Sequence, residues 1–212
     1  MRFLPARPVL RDDLPVIAGL PDSPGANAAW PRSAPYVYPN HSLEVISSCY
    51  NSFPEGAFAS GPKGATIGFV NAIRLPGCKI LAPHEWWNAI GQGTGSTHEP
   101  DGDWLYVCRL LLTAGPGHAS LLHELVPLLD ALNGLAVQAG LTGVAFAAPF
   151  PGKRNRSGTT DFQRSCFEDP RNMIHLAGSV IGCAEIAGFR HELALPNYLG
   201  HCRHFALLTW RP

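Results

Sequence analysis

Apolar residues recur at Leu121, Leu125, Leu128, Leu132 and Leu135, in steps of four and three. That spacing predicts one buried face of an α-helix. Gly140 follows as a C-terminal cap, and Pro127 inside the helix is expected to bend it. Two apolar runs flank this helix, Trp104–Leu112 and Thr142–Ala148. Runs of that kind read as strands covered on both faces. Strand, glycine turn, helix and strand together make a βαβ-like unit.

The pattern is weaker elsewhere. Residues 5–20 read as a strand or turn and then a short helix, with Asp12 and Asp13 near its start. Residues 21–40 are a proline-rich loop, and His41–Tyr50 is a second helix with Leu43, Val45, Ile46 and Cys49 on one side. Ala57–Ser60, the turn Gly61-Pro62-Lys63-Gly64 and the strand Ala65–Leu75 form a hairpin, with Gly68 the expected site of a bulge. Residues 76–103 are a long connection ending in GQGTGSTHEPDGD. Asp169 to Leu176 reads as a short helix, and Ser179–Ala187 and His204–Trp210 as two further strands joined by irregular chain. With no internal repeat and no linker, residues 1–212 read as a single α/β domain.

Composition narrows the function. Sixteen Lys and Arg balance sixteen Asp and Glu, which argues against a nucleic-acid binder or a polybasic membrane protein. No apolar run is long enough to span a bilayer, and the N-terminus does not read as a secretory signal. The six cysteines form no C-x-x-C pair. They read as reduced thiols, and the expected location is the cytoplasm. His84, His98, His118 and His123 lack partners at metal-ligand spacing, and His201-Cys202 with His204 is too close together to be more than a weak site, so no metal is expected.

The chemical clue lies between the first strand of the βαβ-like unit and its helix. Gly115 and Gly117 let the chain turn tightly and bring backbone N–H groups close to a ligand. The helix start adds unpaired N–H groups and a positive dipole end, which suits a phosphate. This is neither a Walker loop nor a G-x-G-x-x-G fingerprint, and spacing alone leaves an ordinary strand-to-helix turn open.

The order of elements and the stretch Ala114-Gly115-Pro116-Gly117-His118-Ala119 resemble the GNAT acyltransferase superfamily and the end of its pyrophosphate loop. Here the loop is shorter than usual, and Ala114 stands where Arg is common. FPEGAFAS at 53–60, GFVNAIRL at 68–75, HEPDGDWLYV at 98–107, EDPRNMIHLAGSVI at 168–181 and LPNYLGHCRHFALLTW at 195–210 narrow the likeness. They are similar to a branch with GNAT domains attached to carbon–nitrogen hydrolases and the GNAT-like loading domains of polyketide synthases. The resemblance implies a mixed central sheet of six or seven strands, helices on both faces, and splayed fourth and fifth strands. It implies acetyl-CoA or another acyl-CoA as substrate. Pantetheine would lie beside Leu110, Leu111 and Leu112, and Gly115, Gly117, His118, Ala119 and Ser120 would flank the pyrophosphate.

Catalytic residues are harder to name. Glu55, His98 and Glu99 are candidate bases by loop position, with surface or turn roles the alternative. In the loading domains a His in D-P-x-x-x-x-H assists malonyl decarboxylation, and an Arg in G-[FY]-R binds the malonyl carboxylate. The resemblance carries these roles to His175 and Arg190. Those domains also use a Thr on the fifth strand, where this chain has Ala148 or a neighbour and no Thr beyond Thr142. Three functions therefore stay open. The first is acyl-CoA-dependent acyl transfer to an amine or a carrier thiol, on a small molecule or a carrier protein. The second is malonyl decarboxylation with acyl loading. The third is a non-catalytic binding module. GNAT domains often pair, which leaves a homodimer open.

Overall fold

The computed structural model describes residues 5–20, 42–113, 118–149, 180–196, 198–199 and 205–212. The expected helix at 169–176 and loop at 21–40 lie outside them. Among the described residues seven strands form one mixed sheet. They are β1 (Arg7–Pro8), β2 (Ala57–Ser60), β3 (Gly68–Leu75), β4 (Trp104–Leu112), β5 (Gly143–Pro149), β6 (Arg190–Leu195) and β7 (Phe205–Trp210). Their order across the sheet is β1-β2-β3-β4-β5-β7-β6, and every pairing is antiparallel except β4 with β5.

The main helices are α1 (Leu14–Gly19), α2 (Leu43–Ser52), the single turns α3 (Gly77–Ile80) and α4 (Trp86–Ala89), α5 (His118–Gln138) and α6 (Val180–Ile186). On one sheet face α5 packs with α6. Leu125, Leu128 and Leu132 meet Val70, Leu105, Leu110, Leu112, Val144 and Phe146 there. This is the face read from leucine spacing, and each such side chain contributes about 1.5–3 kcal/mol on burial. Gly140 ends the helix at φ +64°, with Leu141 N bonded to Ala136 O at 2.9 Å, as a left-handed cap requires. The other face carries two clusters. One joins α1 and α2 to β2, β3 and Leu111 of β4. The second gathers Trp86, Ile90, Trp104, Tyr106, Cys108 and Tyr198. None of the described helices is long and apolar enough to cross a membrane.

Two elements differ from the sequence reading. Ser179–Ala187 is not a strand: Val180–Ile186 is helical, and Val180, Ile181, Cys183 and Ala184 are buried at helical spacing. The β-branched residues there favour a strand by propensity, and packing against α5 overrides it. The supposedly irregular chain after it contains strand β6, reached through Gly188 at φ +86°. Leu43, placed on the apolar side of α2, is exposed, while Ile46, Cys49 and Tyr50 are buried.

An ion pair fixes the N-terminal edge. Both Nη atoms of Arg7 donate to the Asp13 carboxylate, at 2.7 and 2.8 Å, and Leu10 N donates to it at 2.8 Å. The Arg7 hydrogen bonds outweigh burial and hold the Asp13 carboxyl below the usual carboxylate range.

Glycine positions separate crowded from open backbone. A Cβ at Gly143, the first rung of β5 on β4, would lie 2.2 Å from the Trp210 carbonyl oxygen. A Cβ at Gly134, inside α5, would meet nothing within 4 Å. Gly143→Ala is expected to destabilise the fold by about 1–3 kcal/mol through overpacking. Gly134→Ala is expected to stabilise it by about 0.5–1 kcal/mol. Urea denaturation of the two variants checks both signs.

Candidate functional site

β4 is the strand on which the site is built. All nine of its residues are buried. It pairs with β3 along its length, but its parallel ladder to β5 has three rungs: Trp104 with Gly143, Leu105 with Val144, and Tyr106 with Ala145. Beyond Ala145, β5 stays with β7 as far as Pro149 opposite Phe205. The two strands therefore part above Tyr106, and β5 does not pair with Leu110, Leu111 or Leu112.

The bulge expected at Gly68 of β3 is absent, since Gly68 pairs in register with Ser60 and Leu112, and the irregularity lies on β4 instead. Asn71 faces Arg109 while Ala72 faces Val107, so Cys108 is the extra residue on β4. Its effect is visible in the packing. Leu105, Val107, Leu110 and Leu112 face α5, so the two-residue alternation breaks at 108–109. The break turns Arg109 to the opposite face, where its Nη2 donates to Gly93 O at 3.0 Å and its guanidinium lies 5.7 Å from the Trp86 ring. Trp86 Nε1 in turn donates to Cys108 O at 3.0 Å. Arg109 is fully buried. Burial raises the Cys49 thiol pKa and the nearby Arg109 charge partly offsets it. Burial likewise pushes the Cys108 thiol well up, so both are thiols at neutral pH. The Asn71 carboxamide is buried on the same strand row, and neither polar atom bonds to a described residue.

A second polar chain starts where the strands part. Tyr106 Oη lies 2.7 Å from His84 Nε2 and 2.6 Å from Tyr198 Oη. His84 Nδ1 lies 2.7 Å from Ala82 O. Tyr106 and Tyr198 are buried, and His84 is half-buried. Burial lowers the His84 pKa, only partly offset by the Ala82 carbonyl.

Neither a protein-family profile nor a curated protein matches the sequence. Solved structures do. The loading GNATL domain of CurA from Lyngbya majuscula matches with TM-score 0.64 and 14% identity, over 97% of this chain and 96% of that one. The GphF GNAT-like decarboxylase, solved in complex with isobutyryl-CoA, matches with TM-score 0.60 and 17% identity, over 97% and 98%. An aminoglycoside 6'-N-acetyltransferase complexed with coenzyme A matches with TM-score 0.54 and 16% identity, over 97% and 92%. This chain has the GNAT fold. The mixed sheet, the parallel β4–β5 pair and the helices on both faces agree with the sequence reading.

Within the GNAT fold the expected site residues scatter between known and undescribed positions. Leu110 and Leu112 face α5, Leu111 faces the α1–α2 side, and all three belong to the reach of β4 that pairs with β3 but not with β5. His118, Ala119 and Ser120 form the first turn of α5. Gly115, Gly117 and His175 lie outside the described residues. Arg190 is exposed at the start of β6, opposite Thr209. Thr209 pairs with Ala145, and Ala145 with Tyr106, so Arg190 stands on the parting rung, about 14 Å across the sheet from β4.

Two of the loop candidates for a base are engaged with other groups. His98 Nδ1 accepts from Arg74 N at 3.1 Å, and its ring stacks on Phe53 at 4.9 Å. Glu99 pairs with Lys79, and Glu55 is exposed. Sequence reasoning missed Arg109 and weighed His84 only as a metal ligand. One signal was present: a lone Arg inside the otherwise apolar run WLYVCRLLL.

Glu124 braces the turn between β4 and α5. It accepts from Thr113 N at 2.8 Å and from Thr113 Oγ1 at 3.2 Å. Glu124→Ala leaves that N–H without its carboxylate and is expected to cost about 1–3 kcal/mol. Denaturant melts measure this loss.

Proposed function

We propose that this protein is an acyl-CoA-dependent acyltransferase that uses acetyl-CoA to acylate an amine or a carrier thiol. The observation that carries this reading is the three-rung β4–β5 ladder. A strand edge that leaves its neighbour inside a sheet presents N–H and C=O groups to a ligand. Pantetheine carries amides that can pair with such an edge. The wide end of the gap lies toward the start of α5, whose first-turn N–H groups suit a pyrophosphate. Leu110 and Leu112 supply an apolar wall on one side and Leu111 on the other.

Acyl transfer in such a site is chiefly placement. The thioester carbon and the acceptor are held within reach, and oriented donors stabilise the oxyanion as it forms. The buried Arg109 guanidinium adds a fixed positive charge at the bulge of β4, on the face opposite α5. Its charge sits in a low-dielectric setting, where it acts more strongly than in water.

Acetyl-CoA at about a hundredfold its dissociation constant is expected to stabilise the protein by about 2.7 kcal/mol. For a chain of this size that corresponds to a melting shift of about 5–10 °C. The absence of a shift with any acyl-CoA contradicts the reading.

Malonyl decarboxylation is a second reading. It is supported by the match of Asp169-Pro170 and His175 to the loading-domain pattern and by the presence of Arg190 on the rung of Tyr106. A cation there would hold the carboxylate that is lost as carbon dioxide, and an imidazole would protonate the resulting carbanion. On this reading malonyl-CoA is converted to acetyl-CoA, and His175→Ala lowers the rate at least about 100-fold. Chromatography of the coenzyme A products decides it. Acetyl transfer to an amine with malonyl-CoA inert rejects decarboxylation.

A further inference from the structure

The hydrogen bonds of His84 fix the direction of the chain it begins. Ala82 O can only accept, so His84 Nδ1 carries the proton that donates to it. With the imidazole neutral, Nε2 then has a lone pair and accepts from Tyr106 O–H. Tyr106 has one proton and has given it to His84, so its oxygen accepts from Tyr198 O–H. Among the described residues the donors of this chain therefore point from the buried Tyr198 toward the half-buried His84.

The placement of this chain is unusual. Tyr106 is the last residue of β4 that pairs with β5. Tyr198 comes from the connection between β6 and β7, and its ring packs against Phe205, opposite the far end of β5. Its carbonyl accepts from Trp86 N at 2.9 Å, which ties it to α4. The β5 residues on this face are Ala145 and Ala147, small enough to leave room for two phenols. The hydroxyl pair therefore links β4 to the β6–β7 connection beside the point where β4 and β5 part.

We infer that His84, Tyr106 and Tyr198 form a proton relay that serves the reaction between β4 and β5, with His84 as the terminal base. The inference rests on the acyl-transfer reading. As the acceptor nitrogen or sulfur bonds to the thioester carbon, the C–S bond breaks and coenzyme A leaves as a thiolate. The acceptor's proton passes to Tyr198 Oη, Tyr198 passes its own to Tyr106, and Tyr106 passes its own to His84 Nε2. The imidazolium then releases one proton to solvent and the thiolate takes one up, so the cycle closes without net proton change. His84 and Tyr106 act through Tyr198 and are positioning and relay residues.

Among the described residues the groups facing His84 are the phenol of Tyr106 from β4 and that of Tyr198 from the β6–β7 connection; its chain neighbour Glu85 is exposed. Burial keeps the imidazole neutral to lower pH than usual. The relay is complete only with neutral His84, so kcat/KM rises as pH rises through the His84 pKa and is lost below it.

Two measurements test this on the full chain. Nitrogen-15 NMR of histidine-labelled protein, with His84→Gln used to assign the signal, is expected to show the proton on Nδ1 and titration below the usual value of about 6.5. A proton on Nε2, or titration at or above that value, overturns the relay. In acetyl-transfer assays His84→Gln, which keeps an acceptor for Tyr106 but cannot take a proton, is expected to lose about 100-fold in kcat and the acid limb of the profile. Tyr106→Phe, which cuts the chain at its centre, is expected to lose as much. Both variants are expected to keep acetyl-CoA affinity within about threefold of the native protein. Native rate and native pH profile in His84→Gln overturn the inference. Failure of the native protein to bind any acyl-CoA overturns the acyl-transfer reading instead, and the NMR result still decides whether the relay is wired as described.

Discussion

The separation of β4 from β5 after three rungs is the constraint on which the rest of this fold turns. Parallel neighbours in the middle of a sheet normally continue their ladder, because a buried backbone group without a partner costs about 1–3 kcal/mol. Here each strand is held from its outer side. β3 runs the length of β4, and β7 runs along β5 from Val144 to Pro149. The sheet thus keeps its integrity while its centre opens. On one face α5 and α6 cover the opening with leucines and alanines. On the other, aromatic rings from α4, β4 and the β6–β7 connection do so.

The bulge at Cys108 is the second half of that arrangement. Without it, strict alternation would point Arg109 toward α5, into a wall made of Leu125, Leu128 and Leu132. A guanidinium desolvated there would cost several kcal/mol without partners. The inserted residue turns Arg109 to the other face, where Gly93 O and the Trp86 ring receive it. Gly93 can offer its carbonyl there because it adopts φ +89° within a glycine-rich turn. The turn GQGTG, the bulge and the buried cation are one structural unit, although they come from different parts of the chain.

Much of the frame was legible in the sequence, and for physical reasons. The leucine spacing of α5 and the apolar runs of β4 and β5 are strong local signals, and the structure has all three. The helix α6 was misread because Val180, Ile181 and Ile186 carry strand propensity in a segment too short for its period to show. The strand β6 was missed because Arg190, His191 and Glu192 are exposed on the edge of the sheet, where burial imposes little alternation. The site was less legible still. The partners of Arg109 and Tyr106 lie 16 and 92 residues away in sequence, at Gly93 and Tyr198. No local pattern reports such pairs, and a lone Arg in an apolar run says that a partner is needed without saying which.

The phenol bridge shows how a sheet can be opened and still be held. A backbone ladder carried past Tyr106 would close the gap that an acyl donor needs. A side-chain bond avoids this, because it lies on one face and leaves the strand edges apart. Tyr106 and Tyr198 meet on the face away from α5, over the small side chains of Ala145 and Ala147. Ala145 and Ala147 share the buried cluster of the two tyrosines, and their small side chains leave room on this face. The same bridge ends at His84, the half-buried group in the chain, whose imidazole burial holds neutral to lower pH than usual. The hydroxyl pair that ties β4 to the β6–β7 connection therefore also leads from the centre of the sheet to the half-buried His84.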